Sequence, residues 1–304
     1  MNKKEELFFK ICTILFFILL TLIIVFIIFT SLIINKWFNQ SYLGTKDIDL
    51  RIDKEFLGYP KITSKFSGKN LRICAVNVNN ISFRHKDLTD IYEDKYDNFK
   101  ILQGKNYGTN IPLGIVCENE KNIEFYFRSI ELGSKEYRVF LKPNQVSFDN
   151  EDPTIKCHQG SLKIFNTIRE EIEEIIKNNI NGKNIFIAGH SMGGILGTYT
   201  AKLALEANQQ TLLYTMGSPM FCNKKFAKYI ESFEDDNLIA MYRVHSSNDL
   251  VPVLTPSFMP TIFKSSEEYD YSFIGKSIRF NTLNNSIKYN HSSLAFYESK
   301  KYIL

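Results

Sequence analysis

NIFIAGHSMGGILGTYTAKLALEA, residues 184–207, holds a short apolar run, a serine between glycines, and then an apolar helical pattern. NIFIA has the length and the bounding turn residues of a strand buried in a parallel sheet. ILGTYTAKLALEA continues as a helix. Between them Gly189-His190-Ser191-Met192-Gly193 is a G-x-S-x-G motif in the setting that gives it meaning, directly between strand and helix. The glycines are required because strand and helix can pack closely there only if those positions lack side chains. Such a turn lifts the serine hydroxyl out of the sheet and aims the helix N-terminus at it. The backbone N–H of Met192 is then free to donate to an oxyanion. Ser191 is therefore the expected nucleophile.

Working outward, LGIVCE and IEFYFR flank a polar turn, ENEKN, and predict a strand pair. SLKIFNTIREEIEEIIKNN places Leu162, Phe165, Ile168, Ile172, Ile175 and Ile176 at 3- and 4-residue steps, so one continuous helix is expected, ending at Asn181-Gly182. Downstream come a strand (TLLYTMG), a helix near Lys224 to Ser232, and a strand (LIAMYRV). Alternating strands and helices imply an α/β fold with a mostly parallel central sheet. The stretch from Glu131 to about Pro153 reads as a loop, and no internal repeat is present.

A serine nucleophile needs a base, and the base an orienting acid; after an elbow of this kind they follow in the order acid, then histidine. The chain has five histidines: His85, His158, His190, His245 and His291. Asp249, in the polar turn SSNDLVP after the strand LIAMYRV, is the candidate acid, and only His291 lies beyond it. Asp270 is a rival acid that no comparable strand delivers. Asp235 and Asp236 read as solvated loop residues, His245 as a strand-end histidine with a local partner, and His190 as motif filler.

The motifs, taken in order, resemble those of the class 3 (fungal-type) lipases over roughly residues 114 to 297. GHSMGG matches the family's elbow. KCHQGSLKIFNTIREEIEEI is similar to its H-x-G-F segment and following helix. TMGSPMFCNKKFA and YRVHSSNDLVPVLTP resemble the stretches before and around its acid, and NHSSLAFY its histidine segment. The resemblance implies an α/β-hydrolase fold, a Ser191–Asp249–His291 triad and no metal or organic cofactor. It also implies a lid between Glu131 and Pro153, where Leu132, Val139, Phe140 and Leu141 supply apolar surface, the alternative being an ordinary surface helix. Leu254, Phe258, Met259, Ile262 and Phe263 would line an acyl-chain site or pack in the core. The sequence departs from the family at Phe127-Arg128-Ser129-Ile130, where F-R-G-T or F-R-G-S is usual and the hydroxyl residue is the second oxyanion donor. Here that donor would come from Ser129 or the Ile130 N–H. Losing one such donor costs about 10² to 10³ in turnover in a known enzyme.

The composition agrees with a globular catalytic domain joined to something else. Hydrophobic types make up 44% of 304 residues and charged types 23%, with mean hydropathy −0.17. Thirty-seven basic against 33 acidic residues leave a net +4, scattered rather than clustered, which excludes a nucleic-acid binder. Residues 11–34, ICTILFFILLTLIIVFIIFTSLII, contain no charge. As a helix they would extend about 36 Å against a hydrocarbon core of about 30 Å. A cleavable signal would have a shorter apolar region and a small-residue cleavage site. The sequence thus predicts a cytosolic N-terminus (1–10) and one transmembrane anchor (11–34). A partly helical covering segment (39–112) and a lipase-like core (113–304) follow on the opposite side of the membrane. Lys3, Lys4 and Lys10 before the span, with Lys36 and Trp37 after it, give that orientation.

Of the five cysteines, Cys12 falls in the span. Cys74, Cys117, Cys157 and Cys222 match neither a disulfide framework nor a zinc site and read as buried thiols. Glycosylation sequons at Asn39, Asn80, Asn284 and Asn290 would suit an exported domain. The expected activity is hydrolysis of a lipid acyl ester, with a glycerolipid as the substrate class that membrane tethering suggests. The alternatives are a catalytically silent lipid-binding or interaction protein on the same scaffold, and an esterase or acyltransferase of short-chain, soluble substrates.

Overall fold

The computed structural model describes residues 13, 15–30, 57–83, 85–104, 112–130, 135–140, 144–149, 152–234, 236–253, 271–282 and 286–299. The chain divides into two compact units, 1–47 and 48–304. In the first, residues 15–30 form an uncharged helix whose large apolar side chains are exposed, Leu15 at 58% and Phe26 at 68%. Among the described residues no helix is long and apolar enough to cross a membrane. The expected anchor over 11–34 is therefore not seen as a spanning helix: 16 consecutive residues of it are described, and its remainder, apart from Thr13, lies outside them. Also outside are Leu132, Leu141, the residues from Leu254 to Phe263, Asp270, Asp235, Asn39 and Asn284.

In the second unit a seven-stranded sheet runs in the order β1 (Asn98–Leu102), β2 (Gly114–Glu118), β3 (Asn122–Phe127), β6 (Asn184–His190), β7 (Thr211–Met216), β8 (Leu238–Ser246), β9 (Lys276–Phe280). β1, β2 and β3 pair antiparallel, and every pairing from β3 to β9 is parallel. A small antiparallel pair, β4 (Gln145–Ser147) with β5 (Lys156–His158), stands apart. Chain order among the helices is α1 (Gly68–Phe83), α2 (Leu88–Tyr92), α3 (Lys135–Phe140), α4 (Gln159–Phe165), α5 (Arg169–Lys177), α6 (Met192–Glu206), α7 (Lys224–Glu231), α8 (Ile287–Asn290) and α9 (Ser293–Glu298).

Both sheet faces are covered, which is why β7 is buried at every position. On one face Phe125, Phe127, Ile185, Ile187, Leu213 and Met241 pack with Phe165, Ile172, Ile195, Leu196 and Tyr199. On the other, Ile115, Tyr126, Phe186, Tyr214, Tyr242 and Val244 pack with Leu71, Ile73 and Val78 of α1 and Phe296 of α9. The strand pair and the strand–helix alternation sit where the sequence put them. The predicted long helix does not: it breaks at residues 166–168 into α4 and α5. The Thr167 hydroxyl donates to the Ile164 carbonyl (2.7 Å), a side-chain bond that competes with the helical ladder, and Asn166 is the C-cap of α4, its backbone N–H turned to the Leu162 and Ile164 carbonyls. The expected loop from Glu131 to Pro153 contains α3 and β4.

Cys74, Cys117, Cys157 and Cys222 are free and buried. Two of the sequons are closed to a glycosyl donor, because Asn80 and Asn290 are 0% and 3% exposed.

One buried carboxyl makes the fold sensitive to pH. Glu124 on β3 is fully enclosed and accepts from the hydroxyls of Tyr96 and Tyr126 (2.8 Å each) and from the Asn119 amide (2.8 Å). Burial outweighs those donors and pushes its pKa from 4.5 up to about 7. Between those values the folded chain holds a proton that the unfolded chain releases. Stability from this group is complete below about pH 4.5 and is lost as pH rises through about 7, by about 3 kcal/mol in all. Urea unfolding at pH 5 and pH 8 tests this: wild type should lose stability relative to Glu124→Gln as pH rises. Parallel behaviour of the two proteins would refute it.

Candidate active site

The site is built on the carboxyl ends of β6, β7 and β8, the edge of an open α/β sheet where ligands characteristically bind. β6 runs directly into Ser191, which has φ 56° and ψ −123°. A non-glycine residue with positive φ is strained and persists only where its surroundings enforce it. The enforcement is packing. A Cβ on Gly189 would overlap the backbone of Gly193, and a Cβ on Gly193 would overlap the carbonyl oxygens of Phe127 and Arg128. Helix α6 is thus pressed against β6 and the end of β3, and the chain reverses within one residue. The Ser191 N–H is anchored on the Met216 carbonyl at 2.8 Å. Met192, the first residue of α6, has an N–H with no intrahelical acceptor. Among the described residues the Ser191 hydroxyl makes no hydrogen bond.

The same contact brings the Arg128-Ser129-Ile130 segment beside the elbow. Arg128 is buried; its Nε donates to the Pro112 carbonyl (2.6 Å) and a terminal nitrogen to the Ser129 carbonyl (2.7 Å), which fixes the path of that segment. Ser129 and Ile130 are half-buried, and the Ile130 side chain packs against the core.

Asp249 follows β8 in a tight turn, with its N–H on the Ser246 carbonyl (3.2 Å). Its carboxylate is fully enclosed. Oδ1 accepts the Val251 N–H at 3.0 Å, and Oδ2 lies 2.8 Å from His291 Nδ1. His291, between α8 and α9, keeps about a fifth of its side chain exposed. Two close approaches tie this pair to the elbow. Gly217, at φ 56° after β7, leaves so little room that a Cβ there would come within 2.9 Å of Asp249 Oδ2 and 3.0 Å of His291 Nδ1. The His291 ring also lies 4.7 Å, centroid to centroid, from the ring of His190, the residue before Ser191. The three residues expected from sequence therefore gather at one edge of the sheet.

The other histidines do something else. His190 is buried among His291 and Phe296, and burial, then the neighbouring imidazole, holds its pKa well below the ordinary value, so it stays neutral. Neutrality matters: a second cation would oppose any positive charge on His291. Sequence reading passed over this residue as filler; only its place next to the serine could have signalled a role. His158 caps α4 by accepting the Ser161 N–H (3.1 Å), and burial lowers its pKa to about 4. His245 sits at the end of β8 with Ser277 Oγ at 2.8 Å from its Nε2.

A model of the class 3 lipases matches residues 125–259. The triacylglycerol lipase OBL1 of Nicotiana tabacum is 27% identical over 133 residues, which is 40% of this chain and 23% of that protein; the chain thus matches about a quarter of the length of this relative. Among solved structures, a fungal lipase–inhibitor complex aligns with a TM-score of 0.52 at 20% identity, over 72% of this chain and 81% of that one. The lipase of Rhizopus microsporus var. chinensis aligns at 0.51 and 16%, over 75% and 83%. Likenesses at these identities show the fold alone, the α/β-hydrolase fold.

The packing account predicts the effect of a single methyl group. Gly193→Ala should lower stability by about 2–4 kcal/mol in urea unfolding, because backbone must move to admit it. Gly68→Ala, where the added Cβ meets nothing, should cost none. Equal behaviour of the two would contradict the enforced elbow.

Proposed function

We propose that this chain, which a model of the class 3 lipases matches over residues 125–259, is a serine hydrolase that cleaves acyl esters of lipids, glycerolipids in particular, beside a membrane. The observation that carries the reading is the enclosed Asp249–His291 hydrogen bond of 2.8 Å at the strained Ser191 elbow. His291 takes the Ser191 proton on Nε2 as Oγ attacks the ester carbonyl. Asp249 holds the Nδ1–H tautomer and offsets the charge of the imidazolium that forms. The carbonyl oxygen, now an oxyanion, is stabilised by the Met192 N–H and by a donor from Ser129 or Ile130. His291 returns the proton to the departing alcohol. Water then repeats the sequence on the acyl-enzyme, releasing the fatty acid and restoring Ser191. The lipid-ester substrate class draws support from the tobacco relative, a triacylglycerol lipase.

In this reading residues 11–34 tether the domain to a bilayer with the N-terminus in the cytosol. The helix over 15–30 supports it: its large apolar side chains face outward, and the Thr21 and Thr30 hydroxyls are returned to the Phe17 and Phe26 carbonyls at 2.8 Å each. Hydroxyls satisfied within the helix are what a lipid surround requires. Carbonate washing should leave the full chain with the membrane pellet and release a variant lacking 11–34; release of both would contradict the tether.

A second reading, a catalytically silent lipid-binding protein, is favoured by Ile130, which carries no hydroxyl and turns its side chain into the core. One assay separates them: hydrolysis of short- and long-chain glycerol esters by the full chain in detergent. Catalysis predicts loss of about 10⁴-fold or more in Ser191→Ala and His291→Ala. Wild type no faster than Ser191→Ala would establish the silent reading, and a short-chain preference would move the substrate away from lipids.

A further inference from the structure

Asn290, the residue before His291, is 3% exposed, and both ends of its amide are engaged. Its Oδ1 accepts from the Thr282 hydroxyl, and its Nδ2 donates to the Asn248 carbonyl at 3.3 Å. Asn248 is the residue before Asp249. The same short network continues through buried side chains: Thr282 Oγ1 lies 3.3 Å from Ser246 Oγ, and that oxygen accepts the Asn248 N–H at 3.2 Å. The Asn290 N–H is held by the Ser286 carbonyl at 3.0 Å. On the far side of the histidine, Ser292 caps α9 through the Ala295 N–H, and Ser293 Oγ donates to Asn79 of α1 at 2.9 Å.

We propose that Asn290 is a positioning residue for the hydrolysis inferred above: its amide ties the histidine turn to the acid turn and so sets the distance between His291 Nδ1 and Asp249 Oδ2. The inference rests on the catalytic reading of those two residues. Asp249 and His291 are 42 positions apart in sequence, and their own bond is a single contact. A second tether one residue upstream of each turns that contact into a braced pair, so that the histidine turn cannot move away from the acid turn without breaking the Asn290 bonds. The Asn290-His291-Ser292 sequon then has a structural use for its asparagine, and a glycan there would destroy the tether.

The test uses the full chain in detergent and a fluorophosphonate probe, with labelling rates normalised to the folded fraction measured by circular dichroism. Asn290→Leu keeps the size of the side chain and removes both bonds; Thr282→Val removes one and leaves the other. Misplacement of a reacting group by about 1 Å costs about 10²-fold. Asn290→Leu should therefore label 10- to 100-fold more slowly than wild type, and Thr282→Val by a smaller factor. In ester hydrolysis the loss should fall on kcat with KM within about twofold, because the substrate still meets the same pocket. A labelling rate equal to wild type per folded molecule in both variants overturns the proposal while leaving the enzyme reading intact. A change confined to the folded fraction does the same. Wild type that takes up no probe overturns both.

Discussion

Everything at the site depends on one forbidden-looking turn. Ser191 occupies backbone space that costs of order 1–3 kcal/mol for a residue with a side chain, and the molecule holds it there by removing side chains around it. Gly189 and Gly193 let α6 lie against β6 and against the end of β3. Because the same contact carries the Phe127-Arg128 backbone, the elbow and the segment proposed to supply the second oxyanion donor are positioned by a single piece of packing. Bulk anywhere in it would move both.

The charged half of the site is organised by enclosure rather than by number of partners. Asp249 has no exposed side-chain surface and two donors, a backbone N–H and an imidazole N–H. A buried carboxylate is tolerated only when its oxygens are so engaged. His291 keeps about a fifth of its side chain exposed. Beneath it lies a second imidazole, His190, which burial keeps uncharged.

Much of this was legible in sequence because the signals were local. A strand, a glycine-bounded serine and a helix are contiguous, and the order acid then histidine left His291 as the only histidine after Asp249. What escaped reading was encoded in contacts between distant segments. α1 lies in the covering stretch expected to be partly helical, but its many asparagines gave no sign of where the helix falls or that it is buried. Asn70 is spent on both backbone groups of Lys61, Asn77 and Asn80 meet the Tyr92 hydroxyl, and Asn79 meets Ser293. The helical periodicity from Leu162 to Ile176 was real, yet the chain caps one helix at Asn166, turns the Thr167 hydroxyl onto the Ile164 carbonyl, and starts a second at Arg169. Asn290 looked like a glycosylation signal, and only the fold shows that its amide faces inward.

The most direct test of the account is a crystal structure of the chain after reaction with an alkyl phosphonate ester, a stable mimic of the tetrahedral intermediate. The account predicts phosphorus bonded to Ser191 Oγ and a free phosphonate oxygen about 2.7–3.1 Å from the Met192 nitrogen. A second donor from Ser129 or Ile130 should reach the same oxygen, with His291 Nε2 beside Oγ. A phosphonate attached to another residue, or an oxygen turned away from Met192, would contradict it.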